Sequence, residues 1–199
     1  MKLLLFSDLH VNRKFTSGIV EKSESVDIVI GAGDFANVHR GLDLMASMLS
    51  DIKKPTLVVP GNGETFEELK SAFSQWESCH VLHGSGVKID GVDFYGVGGG
   101  IPVTPFGSWS YDFTEEEGRE LLKTCPENAV LISHSPPKGI LDLSSSGQSL
   151  GSIVVKECMD LKHPRLLVCG HIHESGGKKE RVGNTLVVNA GPQGLIVDL

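Results

Sequence analysis

The chain has 199 residues, of which 40% are hydrophobic, and its formal net charge at pH 7 is −7. This length is enough for one hydrophobic core and too short to favour two, so we expect a single domain spanning residues 1–199. The acidic charge balance excludes the broad basic surface that binds long nucleic acids, and no apolar run approaches the length of a membrane span.

Strand-sized apolar runs alternate with amphipathic stretches in the first 80 residues. A capping box from Thr65 to Glu68 predicts the start of the third helix. The order strand, helix, strand, helix is typical of a layered α/β fold. The expected elements are strands at 2–6, 26–30 and 56–59, and helices at about 14–24, 40–52 and 65–76.

From Cys79 onward the turn glycines lie closer together, which predicts a second, mostly antiparallel sheet. Hairpin turns are expected at Asp90-Gly91 and Gly183-Asn184. A second capping box, from Thr114 to Glu117, predicts a helix that ends near residue 124. The remaining elements are a helix at about 149–161 and strands at 92–97, 129–132, 166–168, 186–188 and 195–197.

Side chains that can bind metals follow five of the expected strands directly after their carboxyl ends. Because these ends face one crevice in an open α/β sheet, we expect the side chains to meet. Their mixed nitrogen and oxygen donors suit Mn²⁺ first, with Fe, Zn²⁺, Co²⁺ or Ni²⁺ as alternatives, and the lack of thiolates favours a site with open positions. Each residue alone has another explanation, such as a helix cap or a turn. The seven are Asp8, His10, Asp34, Asn62, His134, His171 and His173.

Together these residues resemble the motifs of the calcineurin-like metallophosphoesterases, in the family's order and across the whole chain. The motifs are Asp8-Leu9-His10, Gly33-Asp34, Gly61-Asn62, His134 and Gly170-His171-Ile172-His173. The resemblance implies a two-layer β-sandwich of mixed sheets flanked by α-helices. It also implies two divalent metal ions, one held by Asp8, His10, Asp34 and His173, the other by the shared Asp34 with Asn62, His134 and His171.

The same resemblance implies that water activated between the metals attacks the phosphorus, with Asp34, Asn62 and His171 acting most directly in catalysis. Most family members have His after the Asn, whereas this chain has Gly63. Because glycine can neither bind phosphate nor protonate a leaving group, we expect small phosphodiesters with good leaving groups to be favoured over monoesters. His39 and Glu64 are candidates to replace the missing group.

Three further residues are candidates for contact with the substrate. Phe106 and Trp109 lie in a stretch without regular pattern, at 98–112, where they either face the organic group of the substrate or anchor the loop to the core. Asn189 precedes Ala190-Gly191-Pro192, which resembles a family element that lines the site, so Asn189 either lines the site or supports the residues that do.

The leading hypothesis is therefore a metal-dependent phosphoesterase for small phosphate esters, with an oligomeric state that the sequence leaves open. The alternative is a catalytically weak or inactive scaffold for protein partners, as in the retromer subunit that resembles these phosphatases. The four cysteines lack a Cys-x-x-Cys pair, which is typical of free thiols in the cytosol. We expect a cytoplasmic protein without a targeting segment or membrane contact.

Overall fold

Two β-sheets packed face to face form the centre of the computed structural model, which describes residues 1–199. The strands are β1 (Lys2–Phe6), β2 (Ile28–Ala32), β3 (Thr56–Val59), β4 (Cys79–Val81), β5 (Ser85–Ile89), β6 (Val92–Val97), β7 (Val130–Ser133), β8 (Leu166–Cys169), β9 (Lys179–Val182), β10 (Thr185–Asn189) and β11 (Leu195–Asp198). The helices are α1 (Arg13–Ser23), α2 (Leu42–Leu49), α3 (Phe66–Ala72), α4 (Glu115–Leu122) and α5 (Ile153–Lys162).

The first sheet has the strand order β11-β1-β2-β3-β4 and the second has β5-β6-β7-β8-β10-β9. In the first sheet, only the pair of β11 with β1 is antiparallel. The prediction of a mostly antiparallel second sheet was wrong, because β6, β7, β8 and β10 pair in parallel and only the edge strands β5 and β9 run antiparallel. The helices α4 and α5 provide the crossovers that parallel pairing of β6, β7 and β8 requires.

Three buried clusters give the molecule its layers. The central cluster joins the facing sides of the two sheets, with Leu3 and Ile30 from the first and Ile132 and Val168 from the second. A second cluster packs helices α1 to α3 on the outer side of the first sheet, and a third packs α4 and α5 on the outer side of the second. The strands therefore carry apolar side chains on both faces, as strands covered on both sides do.

The local signals for helix starts and hairpin turns were confirmed. Both capping boxes are present, at Thr65 and at Thr114, and both predicted hairpins connect antiparallel strands. The helix expected from residue 149 begins later, because Ser152 is its N-cap and Gly151 donates instead to the Asp142 carboxylate. None of the five helices combines the length and apolar character needed to cross a membrane.

Candidate metal centre

The two sheets bring the carboxyl ends of five strands to one edge of the molecule. Asp8 and Asp34 each lie two residues after β1 and β2, and Asn62 lies three residues after β3. His134 directly follows β7, and His171 lies two residues after β8. The first three residues come from one sheet and the last two from the other, so the site lies across the interface between the sheets.

One group of candidate ligands surrounds His10. Its Nε2 atom lies 3.2 Å from Nε2 of His173 and 3.5 Å from Oδ2 of Asp34. The Nε2 atom of His173 also lies 3.7 Å from Oδ1 of Asp8. Ligand atoms from Asp8, His10 and His173 lie within 4.8 Å of one another, close enough for one cation.

A second group surrounds His134, which is fully buried. Its Nε2 atom lies 3.2 Å from Oδ1 of Asn62 and 3.6 Å from Oδ1 of Asp34. The ring of His171 lies beside it, with ring centroids 5.0 Å apart. Asp34 thus presents Oδ2 to the first group and Oδ1 to the second, which is the arrangement a bridging carboxylate needs.

These separations fit two bound cations. With metal–ligand bonds of about 2.1 Å, neighbouring ligand atoms lie about 3.0 to 3.4 Å apart in octahedral or tetrahedral geometry. The imidazoles are also oriented for metal binding, because Nδ1 of His10 faces the carbonyl of Ala36 at 3.2 Å and Nδ1 of His134 faces that of Ala32 at 2.8 Å. With Nδ1–H donating to a carbonyl, the Nε2 lone pair of each ring faces the site.

Glu64 holds two of the ligand-bearing loops together from below the site. Its carboxylate accepts hydrogen bonds from the backbone N–H groups of Asp34, Phe35, Ala36 and Gly61, at 2.7 to 3.3 Å. Burial and the neighbouring Asp34 carboxylate raise the pKa of Glu64 to about 7, while the four N–H donors favour the ionised form. The prediction that Glu64 faces the substrate was wrong, because its side chain is 0% exposed.

The backbone of the ligand loops is held in an unusual conformation. Positive φ angles occur at Asp8 (56°), His10 (43°), Asp34 (58°) and His171 (66°), and also at the β-branched Val11 (61°). Non-glycine residues rarely adopt these angles, and such strain persists only where the surrounding structure enforces it. Four of the seven candidate ligands are therefore positioned by the fold at a conformational cost.

Two glycines of the sequence motifs are required by close contacts with ligands. A Cβ atom on Gly61 would lie 2.0 Å from Oδ1 of Asp34. A Cβ atom on Gly33, whose φ is +91°, would lie 2.5 Å from Nδ1 of His134. Both distances are far below van der Waals contact, so any side chain at either position would displace a candidate ligand.

The charges in the site favour binding of cations. Burial raises the pKa of Asp8, but hydrogen bonding with His173 and the charge of His134 outweigh it, so the net pKa is lowered to about 2. Burial, reinforced by His134, lowers the pKa of His171 to about 4. Burial opposes protonation of His134, yet Asp34 and Asp8 raise its pKa overall. Hydrogen bonding with Asp8 raises the pKa of His173. The carboxylates therefore favour positive charge in their surroundings, and bound cations would supply that charge.

A cleft of about 350 Å³ lies over the candidate ligands, and two of the five residues predicted to line it do so. Phe106 and Trp109 are in its wall, with rings stacked at a centroid distance of 5.7 Å. Two lining residues that the sequence did not indicate, Val38 and Leu150, come from irregular segments without a pattern that could have revealed them.

His39 does not line the cleft but holds the loop that carries Trp109 in place. Its Nδ1 lies 2.8 Å from Oε2 of Glu68, and its Nε2 lies 2.6 Å from the backbone carbonyl of Trp109. Both partners are acceptors, so only the doubly protonated ring donates to both. The hydrogen bond with Glu68 raises the pKa of His39 despite partial burial. The prediction that His39 replaces the missing catalytic group therefore conflicts with its contacts.

Asn189 also lies outside the cleft, beneath the loop that carries His171. Its Nδ2 donates to the carbonyls of Gly170 and Ile172, at 3.1 and 3.0 Å. Asn189 is fully buried, which rules out contact with substrate. It supports the conformation of the His171 loop instead.

Two supporting residues were missed by sequence reasoning. Ser7 donates to Oδ2 of Asp8 at 2.5 Å, and its place directly before Asp8 was the one available signal. Ser110 accepts from Nδ2 of Asn62 at 3.0 Å, which turns Oδ1 of Asn62 toward His134. Ser110 lies in an irregular loop, where sequence gave no signal.

The family is decided by a sequence comparison. The profile described as the calcineurin-like phosphoesterase superfamily domain matches residues 1–196. The chain belongs to this family. Its members are metal-dependent phosphoesterases with a dinuclear divalent metal centre. In this calcineurin-like phosphoesterase, possible ligand atoms of Asp8, His10 and His173 lie within reach of one cation, and so do those of Asp8, Asp34 and His134. The predicted family and the predicted α/β fold of two mixed sheets flanked by helices are both confirmed.

Solved structures share the fold of this calcineurin-like phosphoesterase at low sequence identity. The protein TT1561 of Thermus thermophilus matches with a TM-score of 0.78 and 20% identity, over 96% of this chain and 90% of that one. The phosphopantetheinyl hydrolase PptH of Mycobacterium tuberculosis matches with a TM-score of 0.65 and 16% identity, over 96% and 88%. A dimetal phosphatase from Danio rerio matches with a TM-score of 0.64 and 12% identity, over 95% and 86%. Comparison with curated proteins gave no match.

Proposed function

We propose that this chain hydrolyses small phosphate esters, phosphodiesters in preference to monoesters, with two divalent cations of which Mn²⁺ is the first choice. The observation that carries the proposal is the position of Asp34. Its two carboxylate oxygens face separate groups of ligand atoms, at 3.5 Å from His10 and 3.6 Å from His134. A single structural metal would not require a carboxylate to face both ways.

In this proposal, Asp8, His10, Asp34 and His173 hold one cation, and Asp34 with Asn62, His134 and His171 holds the other. When bound, such a pair makes water acidic enough to act as the nucleophile near neutral pH and neutralises the charge that develops on the phosphoryl oxygens.

The chain's own residues fix where the phosphoryl group binds. Asp34, Asn62 and His171 all line the cleft, and Ser110 holds the Asn62 amide in place. They would orient the ester for in-line attack. Glu64 accepts hydrogen bonds from the backbone N–H groups of Asp34 and of Gly61, which directly precedes Asn62. Both side chains are thus held in place, so little reorganisation is needed when the substrate binds.

The preference for diesters with good leaving groups is supported by Gly63, which lines the cleft without a side chain. Neither of the two candidates to replace its missing group is available. His39 is bonded to Glu68 and the Trp109 carbonyl, and Glu64 is buried beneath the ligand loops. A departing oxygen therefore finds no proton donor at position 63, which disfavours esters with basic leaving groups. We also propose a cytoplasmic location, which the four unpaired cysteines support.

The test is hydrolysis of bis(4-nitrophenyl) phosphate and 4-nitrophenyl phosphate by purified protein with Mn²⁺. Asp34→Asn is expected to lower kcat/KM by roughly 1000-fold or more, because the side chain loses its negative charge and one of the two oxygens that would bind the cations. Asp43→Asn, at an exposed carboxylate in the first turn of α2, is the matched control and should keep full activity. Absence of turnover with every divalent metal, together with a stable stoichiometric protein partner, would favour the scaffold alternative.

A further inference from the structure

The cleft has an apolar wall in addition to the candidate ligands. Four of the nine large apolar side chains that are exposed in this chain line this one cleft, and those four are defined here as the apolar wall: Val38, Phe106, Trp109 and Leu150. Phe106 is 52% exposed and Trp109 is 36% exposed. Concentrated exposed apolar surface beside a polar site is typical of a surface that binds a ligand.

The aromatic part of the wall presents flat surface. The rings of Phe106 and Trp109 are nearly parallel, with an interplanar angle of 16°. Exposed aromatic faces favour contact with other planar apolar groups, in stacked or edge-on arrangements. The wall is therefore suited to an aromatic group more than to a flexible polar one.

The charges in the cleft point the same way. No lysine or arginine is among the residues that line it, whereas Glu174 is. A second phosphate or a carboxylate on the substrate would have no cationic side chain to bind and would face a like charge. The cleft thus suits a single phosphoryl group at the metals and an uncharged remainder.

Hydrogen bonds connect the aromatic part of the apolar wall to the candidate metal centre. Thr104 and Ser110 donate to the two carboxylate oxygens of Asp112, which closes the neck of the loop that carries Phe106 and Trp109. Ser110 also bonds the Asn62 amide. The distance between an organic group on the wall and a phosphoryl group at Asn62 is therefore set by the fold.

The second loop of the wall, which carries Leu150, is organised in the same manner. The Asp142 carboxylate accepts from the backbone N–H groups of Gly139 and Gly151 and from the hydroxyl of Ser149. Both loops are thus held by a carboxylate at their base while their apolar side chains stay exposed.

We infer that the substrate is a phosphate ester with one phosphoryl group and an uncharged aromatic group that binds on the apolar wall. This inference rests on the proposed phosphoesterase function and adds the class of organic group to it. Phe106, Trp109 and Leu150 are specificity-determining residues for that group, and nucleoside polyphosphates and sugar phosphates are poor ligands.

The test uses phosphinates, which carry the single negative charge of a phosphodiester but have no bond that hydrolysis can break. Dimethylphosphinate, methyl(phenyl)phosphinate and methyl(4-carboxyphenyl)phosphinate are titrated into Mn²⁺-loaded protein by calorimetry. The phenyl compound is expected to bind roughly 10-fold tighter than the dimethyl compound, because its ring is buried against the apolar wall. The added carboxylate is expected to cancel most of that gain.

Variants test whether the tighter binding of the phenyl compound comes from the apolar wall. Trp109→Ala combined with Phe106→Ala is expected to lower affinity for the phenyl compound by roughly 10-fold and for the dimethyl compound much less. The bond from His39 survives because it reaches the backbone carbonyl at position 109. Leu150→Ala tests the second loop independently. Leu161→Ala removes an exposed leucine that does not line the cleft and is the control.

Equal affinity for the phenyl and dimethyl compounds, or an equal loss of both in the wall variants, would overturn the inference and leave the proposed hydrolysis standing. Inorganic phosphate separates the two proposals. If it shows no metal-dependent binding, the proposed function fails and the inference fails with it.

Discussion

The inner and outer parts of the cleft are built on different principles. Inner side chains such as Asp34 and His134 are buried, and backbone hydrogen bonds and close-packed glycines hold them in place. The outer residues Phe106, Trp109 and Leu150 are exposed and lie on irregular loops. The contrast indicates that the fold fixes the phosphoryl chemistry, whereas loop side chains that can change without cost to the core select the organic group.

The largest effect expected on folding stability concerns the inner part. Glu64→Ala should lower the free energy of unfolding by about 2 to 4 kcal/mol, because it leaves buried N–H groups of the Asp34 and Gly61 loops without acceptors. Chemical denaturation measures the change. Glu67→Ala, at an exposed neighbour on α3, should cost less than about 0.5 kcal/mol. Equal losses in the free energy of unfolding for the two variants would show that the hydrogen bonds of Glu64 add no stability beyond that of an exposed glutamate.

Asn189 tests whether support from beneath the site matters for the metals. Asn189→Ala frees the carbonyls of Gly170 and Ile172, so the loop that carries His171 loses its orientation. Affinity for Mn²⁺ should fall roughly 10- to 100-fold, measured by calorimetry on metal-free protein. Asn184→Ala, in the exposed turn before β10, is the control. Unchanged affinity for Mn²⁺ would mean that the loop keeps its shape unaided.

Gly63 lines the cleft beside the Asp34 carboxylate. Gly63→His should raise kcat/KM for phosphodiesters with poor leaving groups by roughly 10-fold. It should change kcat/KM for 4-nitrophenyl esters little, because a proton donor matters most for basic leaving oxygens. The new Cβ would lie 3.2 Å from Oδ1 of Asp34, so Gly63→Ala is needed to measure the effect of that contact. A uniform change across leaving groups would show that the missing side chain does not set the preference.

The smallest expected effect concerns the outer part. The pKa of His39 is raised by its bond with Glu68, with the Glu64 carboxylate adding to the effect. Its stabilising contribution is therefore complete below about pH 6.5, the usual value for the unfolded chain, and is lost as pH rises through the higher folded pKa.

Because both side chains are partly exposed, we expect about 0.5 to 1 kcal/mol between wild type and His39→Gln at pH 6, and less at pH 9. Denaturation curves at the two pH values measure the difference. In a Glu68→Gln background the pH dependence should shrink. If the stability difference between wild type and His39→Gln did not depend on pH, His39 could not be the doubly protonated donor to Glu68 and to the Trp109 carbonyl.

The same contrast explains what could be predicted from the sequence. The convergence of the candidate ligands could be predicted because their chemical types recur at strand ends, where the geometry of a sheet brings side chains together. The direction of strand pairing in the second sheet was not predicted correctly. The reason is that β6 and β7 are each followed by a long irregular segment before the crossover helix. Glu64 and His39 were assigned to the substrate because they are titratable and adjacent to motifs, but tertiary contacts with Asp34 and Trp109 determine their roles.

The central claim is that Asp34 joins two cations. A crystal grown with Mn²⁺ and measured near the manganese absorption edge tests it directly, because anomalous scattering locates each ion. We predict two peaks about 3.5 to 4 Å apart, with one oxygen of Asp34 bound to each. A single peak, or two peaks of which Asp34 contacts one or neither, would contradict the account.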